Sequence, residues 1–320
     1  MKTGKSIHKT VLLNEAIEGL NLKDTSVVID GTFGGGGHSA EICKRFPKVK
    51  IIAIDQDKSA FEKAKYKFEG LSDITFVNTN FRHLQNLENF PAFALGDLGQ
   101  GAHGFQNFLN SVDAVLLDLG LSSDQLENSG RGFSFMKDEP LLMTMKDIKD
   151  NLPSPEDVTA YEVVNTWEEK NLADIIYGYG EEQFARRIAR GIVETRKKRE
   201  IKTTFNLVQI ISDSVPGFYR KGKIHYATKT FQALRIAVND ELGALSEGLV
   251  KGLDILNKGG RMAVISFHSL EDRIVKRFYK EKEKEGLVKL INKKPIKPSR
   301  EEILNNNRAR SAKLRILEKI

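Results

Sequence analysis

Three aspartates, Asp30, Asp55 and Asp118, each end a run that reads as a β-strand, and four consecutive glycines, Gly34–Gly37, follow the first of them. Carboxylates so placed accept hydrogen bonds or hold a positive charge. Bare glycine backbone between a strand and a helix lets a ligand lie against main-chain N–H groups at the helix N-terminus. Asp55 lies 20 residues past Gly35. At that spacing an acid closing a second strand accepts hydrogen bonds from ribose hydroxyls. A tight turn alone is the plainer reason for glycine, but it leaves the order strand, glycines, helix, strand, acid unexplained.

Two ligand classes share this layout. Gly35, Gly37 and Ala40 satisfy the loose G-x-G-x-x-A form, so a dinucleotide-dependent oxidoreductase is one reading. S-adenosylmethionine is the other: it has no pyrophosphate and carries an ammonium and a sulfonium. Asp30, four residues before Gly34, would repel the phosphates of a dinucleotide. Asp118 brings a further carboxylate to the crevice where switch-point ligands bind. The acids favour the cationic ligand, with Asp30, Gly34, Asp55 and Asp118 around it. His38, at the helix start, has a plainer role as a local cap. Phe81, read as closing the third strand, is either core or a face for adenine.

The elements that must carry these residues are legible. The stretch SVVIDGTFGGGGHSAEICKRF reads as strand, glycine turn and helix. VKIIAIDQD is a second strand followed by the helix SAFEKAKYKF, and DITFVNTNF is a third strand. VDAVLLDLGLSS is a fourth, with the near-continuous apolar run of a strand covered on both faces. Strands alternating with helices predict an α/β fold with a doubly wound parallel sheet. Residues 84–111 settle into no period and read as a long surface excursion. After Gln125 the pattern is helical, with helix starts at Ser154–Pro155 and at Glu181–Glu182. In the latter helix Phe184, Ile188 and Ile192 share one side, and Arg186, Arg187, Arg190 and Lys197 the other. TKTFQALRIAVNDELGALSEGLVKGLDIL reads as one long helical segment, GGRMAVISFHS returns to strand, and NNNRARSAKLRILEKI reads as a last strand. The expected organisation is a discontinuous catalytic domain, 1–127 and 226–320, interrupted by a helical insertion, 128–225.

Composition narrows the setting. Apolar residues make up 40% of the 320, enough for a real core, and the single cysteine, Cys43, excludes an internal disulfide. A cytoplasmic protein is expected, with no membrane association and no secretory signal at its start. The net charge of +7 is uneven. Gln183–Lys223 holds 11 Lys or Arg against 3 acids, and Gly286–Ile320 holds 10 against 3. Two basic segments on a mildly acidic body suggest a polyanionic partner, nucleic acid by default, against the plainer reading of solvated helix faces. No His/Cys cluster has metal-ligand spacing, so no metal is expected, and no G-x-S-x-G elbow is present.

The strings HKTVLLNEAIEGL, IDGTFGGGGHS, AIDQD, LLDLGLSSDQLENSGRGFSF, YGEEQFARRIARGIVE, TKTFQALRIAVNDEL, GGRMAVISFHSLEDRIVKRF and RARSAKLRI run in order from residue 8 to residue 316. In them the chain resembles the bacterial ribosomal RNA cytosine-N4 methyltransferase family (RsmH, formerly MraW). The resemblance implies a class I S-adenosylmethionine-dependent methyltransferase with a helical insertion. It implies methylation of the exocyclic N4 of one cytidine in the decoding region of 16S RNA in the small ribosomal subunit. It places cofactor contacts at Gly36, Gly37, His38, Asp55, Phe81, Asp118 and Gln125.

With that chemistry in view, Asp118, Ser122, Ser123 and His268 are the expected catalytic residues. Asp118 would touch the cofactor. Ser122 and Ser123 would present acceptors to the target amine, and His268 would contact the base or its phosphate. Arg131 and Phe133 are expected to touch phosphate and stack on a base. Arg186, Arg187, Arg190, Lys221, Lys223, Arg308, Arg310 and Lys313 are expected to contact phosphates. Two departures stand out. The family's L-D-M-R-M-D run is replaced by Leu141-Leu142-Met143-Thr144-Met145-Lys146, which keeps a catalytically inactive RNA-binding relative as an alternative. The 84–111 excursion is also longer than the family norm.

Overall fold

The computed structural model describes residues 10–68, 73–89, 92–94, 111–146 and 157–320. Most of the 84–111 excursion and the helix start expected at Ser154–Pro155 lie outside the described residues. The chain divides into two compact units, one comprising residues up to Ser122 with Leu242–Ile320, the other Ser123–Glu241.

Among the described residues the first unit is built on eight strands: β1 (Val27–Asp30), β2 (Lys50–Asp55), β3 (Asp73–Asn78), β4 (Ala92–Ala94), β5 (Val112–Asp118), β6 (Leu256–Ser266), β7 (Val288–Leu290) and β8 (Lys313–Lys319). Their order in the sheet is β4-β3-β2-β1-β5-β6-β8-β7. β1 pairs in parallel with both β2 and β5, and β6 runs parallel to β5. β8 enters antiparallel between β6 and β7. Alternate residues of each strand feed opposite faces. Val28, Ile51, Ala53, Ala114 and Leu116 join a core with the helices Leu13–Leu20, Gly37–Arg45 and Lys58–Ala64. Val27, Ile29, Ile52, Ile54, Val115 and Leu117 join a second core with the helices Glu241–Ile255 and Ser269–Lys284. Covering on both faces is why these strands are apolar throughout, and the sheet is doubly wound as expected.

Three details differ from the sequence reading. The long segment from Thr228 is two helices, Thr228–Asn239 and Glu241–Ile255, broken where Asp240 takes a left-handed conformation (φ 45°, ψ 46°). Aspartate tolerates that region better than most residues. The tail forms a short helix, Arg300–Asn305, and a 3₁₀ turn before β8. Phe81 does not close β3; it opens the 3₁₀ turn Phe81–His83.

The second unit is helical: Ser123–Asn128, Ala160–Thr166, Glu169–Gly178, Ala185–Arg196, Thr204–Ser214, Gly217–Arg220 and Thr228–Asn239. It reaches Glu241 rather than residue 225 because Thr228–Asn239 buries Phe231, Leu234 and Ile236 and packs on Ala160–Thr166 and Glu169–Gly178. Thr159 and Thr203 cap their helices by accepting from the amides of Glu162 and Asn206. Asn165 Nδ2 donates to the Ile201 carbonyl and its Oδ1 accepts from the Ile201 amide.

The run Leu141–Lys146 crosses this unit as a strap with Leu141, Met143 and Met145 buried. Backbone groups hold it. The Met143 amide donates to the Arg131 carbonyl, Asn239 Nδ2 donates to the Met143 carbonyl, and Asn239 Oδ1 accepts from the Met145 amide. Such anchors do not depend on side-chain identity, so the strap tolerates its unusual sequence.

Gly132, at φ +75°, sits where an added Cβ would overlap the Pro140 carbonyl oxygen. Both the backbone and the space exclude other residues there. Gly132→Ala is expected to destabilise the protein by about 2 kcal/mol or more. Urea unfolding measures this, and an unchanged midpoint would contradict the packing described.

Candidate functional site

Asp30, Asp55 and Asp118 end β1, β2 and β5, the three adjacent central strands, so all three carboxylates arrive at one edge of the sheet. The loop after β1 is fixed at both sides. The Gly31 amide donates to the Leu116 carbonyl and the Phe33 amide to the Ile54 carbonyl. Phe33 then drops into a ring cluster with Phe61, Phe68 and Phe76, at centroid distances of 5.3, 5.7 and 5.4 Å. Gly34 and Gly36 take φ of +51° and +69°. An added Cβ on Gly36 would come within 2.7 Å of the Phe33 ring, and one on Gly37 would overlap the Thr10 hydroxyl. The glycines are therefore demanded by backbone conformation and by crowding beneath the loop.

Each acid is held by specific donors. Ser39 Oγ donates to Asp30 Oδ2 at 2.6 Å, and the Thr32 amide to Asp30 Oδ1 at 3.3 Å. The Gly34 amide donates to Asp55 Oδ2 at 2.7 Å, and the Asp57 amide to Asp55 Oδ1 at 2.9 Å. The Asp118 amide donates to Thr32 Oγ1. Asp118 Oδ2 lies 3.6 Å from His38 Nδ1, and Asp118 Oδ1 is buried with no hydrogen-bond partner among the described residues. Burial raises all three carboxyls. Asp30 is pushed up to about 6 despite its hydrogen bonds from Ser39 and Thr32. Asp55 is also pushed up to about 6 by burial, with the fields of Asp57 and Asp30 adding to it. Asp118 rises well above the usual carboxylate range through burial and the fields of Asp30 and Glu271. Clustered buried acids of this kind gain from a positively charged ligand, which relieves their mutual repulsion.

Several expected residues stand elsewhere or do other work. Phe81 is half-buried, with its ring against the helix Glu241–Ile255: a Cβ on Gly248 would lie 2.5 Å from Phe81 Cδ2. Its own Cβ lies beside Gly31. Ser122 sits beside Gly34, whereas Ser123 and Gln125 belong to the first helix of the second unit. His268 is the N-cap of Ser269–Lys284. Its Nδ1 accepts from the Glu271 amide, and Glu271 Oε2 accepts from the amides of Phe267 and His268. His268 Nε2 lies 3.1 Å from Glu271 Oε1 and is buried with no hydrogen-bond partner among the described residues.

Arg131 and Phe133 are not exposed readers of RNA. Both are buried; Arg131 Nη1 donates to the carbonyls of Thr144 and Lys146, and the guanidinium lies over the Phe133 ring. A buried polar group needs such partners, so Arg131 secures the strap instead of a phosphate. Lys313 pairs with Asp272 at 2.8 Å, beside the Arg315–Asp272 pair. Arg186, Arg187, Arg190, Lys221, Lys223 and Arg310 are exposed, and Arg308 is half-exposed.

Sequence reasoning missed Thr32, Ser39, Lys67 and Glu271. Thr32 and Ser39 lie inside the glycine motif, where a hydroxyl beside a buried acid is the signal. Glu271 follows His268 at capping-box spacing. Lys67 Nζ donates to the Gly35 carbonyl at 2.6 Å, a contact no local pattern announces.

The profile described as the MraW methylase family matches residues 5–320. The chain belongs to the MraW methylase family. Its curated relatives include "Ribosomal RNA small subunit methyltransferase H" of Brevibacillus brevis, 43% identical, with 98% of each chain covered. The protein of the same name from Clostridium botulinum (strain Kyoto / Type A2) is 44% identical, covering 98% of this chain and 99% of its own. Among solved structures, an rRNA methylase from Streptococcus thermophilus aligns over 98% of this chain and 99% of its own, at 12% identity and TM-score 0.43. The doubly wound α/β sheet of this MraW-family protein is the one expected from its sequence, and the family is S-adenosylmethionine-dependent.

The acid trio fits that cofactor. The Asp55 carboxylate could accept from ribose hydroxyls, and the Asp30 and Asp118 carboxylates could complement ammonium and sulfonium charge. Because the folded-state values of Asp30 and Asp55 lie above the ordinary 3.8, these acids favour the folded protein below that range. That contribution is lost as pH rises through about 6. A cation selects the ionised forms, so its affinity falls as pH drops through the same value. S-adenosylmethionine affinity is expected to weaken about tenfold from pH 7.5 to pH 5.5. Calorimetric titration across that interval tests it, and a flat profile would remove the carboxylates from the binding account.

Proposed function

We propose that this protein transfers a methyl group from S-adenosylmethionine to the exocyclic N4 of a cytidine in the decoding region of small-subunit ribosomal RNA. The carrying observation is the trio of buried carboxylates around the glycine turn, one of them with an unpartnered oxygen. The names of the relatives support the RNA substrate, and the resemblance in the sequence supports the cytosine amine. A dinucleotide would bring phosphates against the same acids. An inactive relative is disfavoured because the unusual strap is anchored by backbone in the second unit and leaves the acids intact.

Bound S-adenosylmethionine supplies an electrophilic methyl group on sulfur. Asp55 holds the ribose, Asp30 and Asp118 hold positive charge, and Phe81 beside Gly31 offers an apolar edge to adenine. His38 steadies Asp118. The Gly36 amide closes the turn on the Phe33 carbonyl, so the Gly37 amide at the helix N-terminus is the one assigned to the carboxylate, and Gln125 is assigned a supporting contact. Cytosine N4 is a poor nucleophile because its lone pair is delocalised into the ring. The protein must therefore align it with the methyl–sulfur bond at near-attack distance. Acceptors for its hydrogens favour a pyramidal nitrogen. Ser122, Ser123 and main-chain carbonyls after β5 are assigned that task, and His268 is assigned a contact to the base or its phosphate. The base must be extruded or come from an unpaired loop. Arg186, Arg187, Arg190, Lys221, Lys223, Arg308 and Arg310 would hold phosphates.

Replacing Asp118 by Asn removes a charge while keeping the shape. Methyl transfer from tritiated cofactor to small-subunit RNA is expected to fall about tenfold or more. Near-normal turnover would exclude the assigned role, and mass spectrometry of the product locates the methylated base. For the substrate, Arg186→Glu with Arg190→Glu is expected to weaken RNA binding and to lower the slope of log K against log salt by about 2. A slope equal to that of the unaltered protein would clear this face of phosphate contacts.

A further inference from the structure

With Phe133 buried, the base-stacking ring expected from the sequence is missing from its assigned place. The second unit offers another. Between Gly217 and Tyr226 the sequence GFYRKGKIHY contains three Lys or Arg and no acid. Phe218 is 72% exposed and Ile224 is 55% exposed. Single exposed apolar residues are ordinary. An aromatic ring interleaved with cations on one short segment is the pattern of single-stranded nucleic-acid binding.

The segment is held rigidly at two points. Tyr219 donates its hydroxyl to the buried carboxylate of Glu182, and its ring meets Phe184 edge-on at 4.9 Å. His225 stacks on Phe135 at 4.5 Å with the planes 6° apart. Phe135 is itself braced edge-on by the buried Phe231. Tyr226 stacks on His225 at 4.2 Å. Arg220 Nη1 reaches the Ser212 hydroxyl, tying the turn to the preceding helix. Between these anchors Lys221 and Lys223 are exposed and have no ion-pair partner among the described residues. A rigid segment loses little freedom on binding.

The platform is also continuous with the basic helix. Arg187 lies over the Phe184 ring at 5.7 Å, and Phe184 contacts Tyr219. One packed chain of groups therefore links the Arg186–Arg190 face to the turn that carries Phe218.

We propose that Gly217–Tyr226 docks an unpaired RNA strand, with Phe218 stacking on a base and Lys221 and Lys223 holding the flanking phosphates. The proposal rests on the RNA-methyltransferase reading and adds the form of RNA that the second unit grips. Duplex RNA keeps its bases stacked internally and offers none to Phe218.

The test uses the full-length protein with Phe218→Ala, Phe218→Trp and the pair Lys221→Glu, Lys223→Glu. Binding is measured to an unpaired RNA oligonucleotide and to a duplex, alongside methyl-transfer kinetics. Phe218→Ala is expected to weaken the unpaired strand about tenfold, leaving duplex affinity, the salt slope, kcat and cofactor affinity unchanged and raising KM for RNA. Phe218→Trp restores binding, and the lysine pair lowers the salt slope. If Phe218→Ala binds the unpaired strand like the wild type, or weakens strand and duplex equally, the platform is wrong. Intact binding to naked RNA with loss of activity only on ribosomal particles would likewise overturn it, because the ring would then face protein. Wild-type protein that binds cofactor but neither RNA would sink the substrate reading itself.

Discussion

The cost of keeping three carboxylates together in a poorly hydrated place governs the first unit. Parallel strands that start from one end must finish at the same end, so acids closing β1, β2 and β5 meet whether or not they repel. The surrounding donors keep that arrangement tolerable. Ser39, Thr32, Gly34 and Asp57 each give a hydrogen bond to a carboxylate, and each donor has its position fixed by the turn or helix it belongs to. The phenylalanine cluster under the loop and the side-chain-free positions at Gly36 and Gly37 serve the same end. They fix the loop backbone so that its amides point where the acids need them.

Much of this was visible in the sequence because it is local. Apolar runs ending in aspartate, and glycines between a strand and a helix, are short-range signals with a direct geometric meaning. The doubly wound sheet followed from alternation alone, and the acids followed from their places at strand ends. What escaped was long-range. Phe81 looked like a strand terminus, yet its surroundings are set by Gly248, far along the chain. Arg131 looked like a surface cation in a glycine-rich loop. Its carbonyl partners at Thr144 and Lys146 appear only once the strap has folded over it. His268 sits in a recognisable capping pattern, H-S-L-E, in which the histidine and Glu271 satisfy the helix start, so its residue type alone does not signal chemistry.

The second unit shows how a divergent run can leave a fold intact. Leu141–Lys146 departs from the run that the family resemblance implies, but its attachments are main-chain amides and carbonyls meeting Arg131 and Asn239. Its apolar side chains fill the interior. Substitution there changes what is buried more than what is bound. The surface that faces solvent, with its arginines and the ring of Phe218, lies on other segments.

The placement of β8 bears on how the chain is made. Helices from Ser123 to Glu241 are contiguous in sequence, whereas β6 needs a neighbour drawn from the last residues before Ile320. During synthesis the inserted unit is complete while its host still shows a bare strand edge to solvent. Such an edge pairs readily with other chains, and domains tend to fold as they emerge. For this architecture the vulnerable interval is the delay between emergence of Ser266 and emergence of Lys313–Lys319.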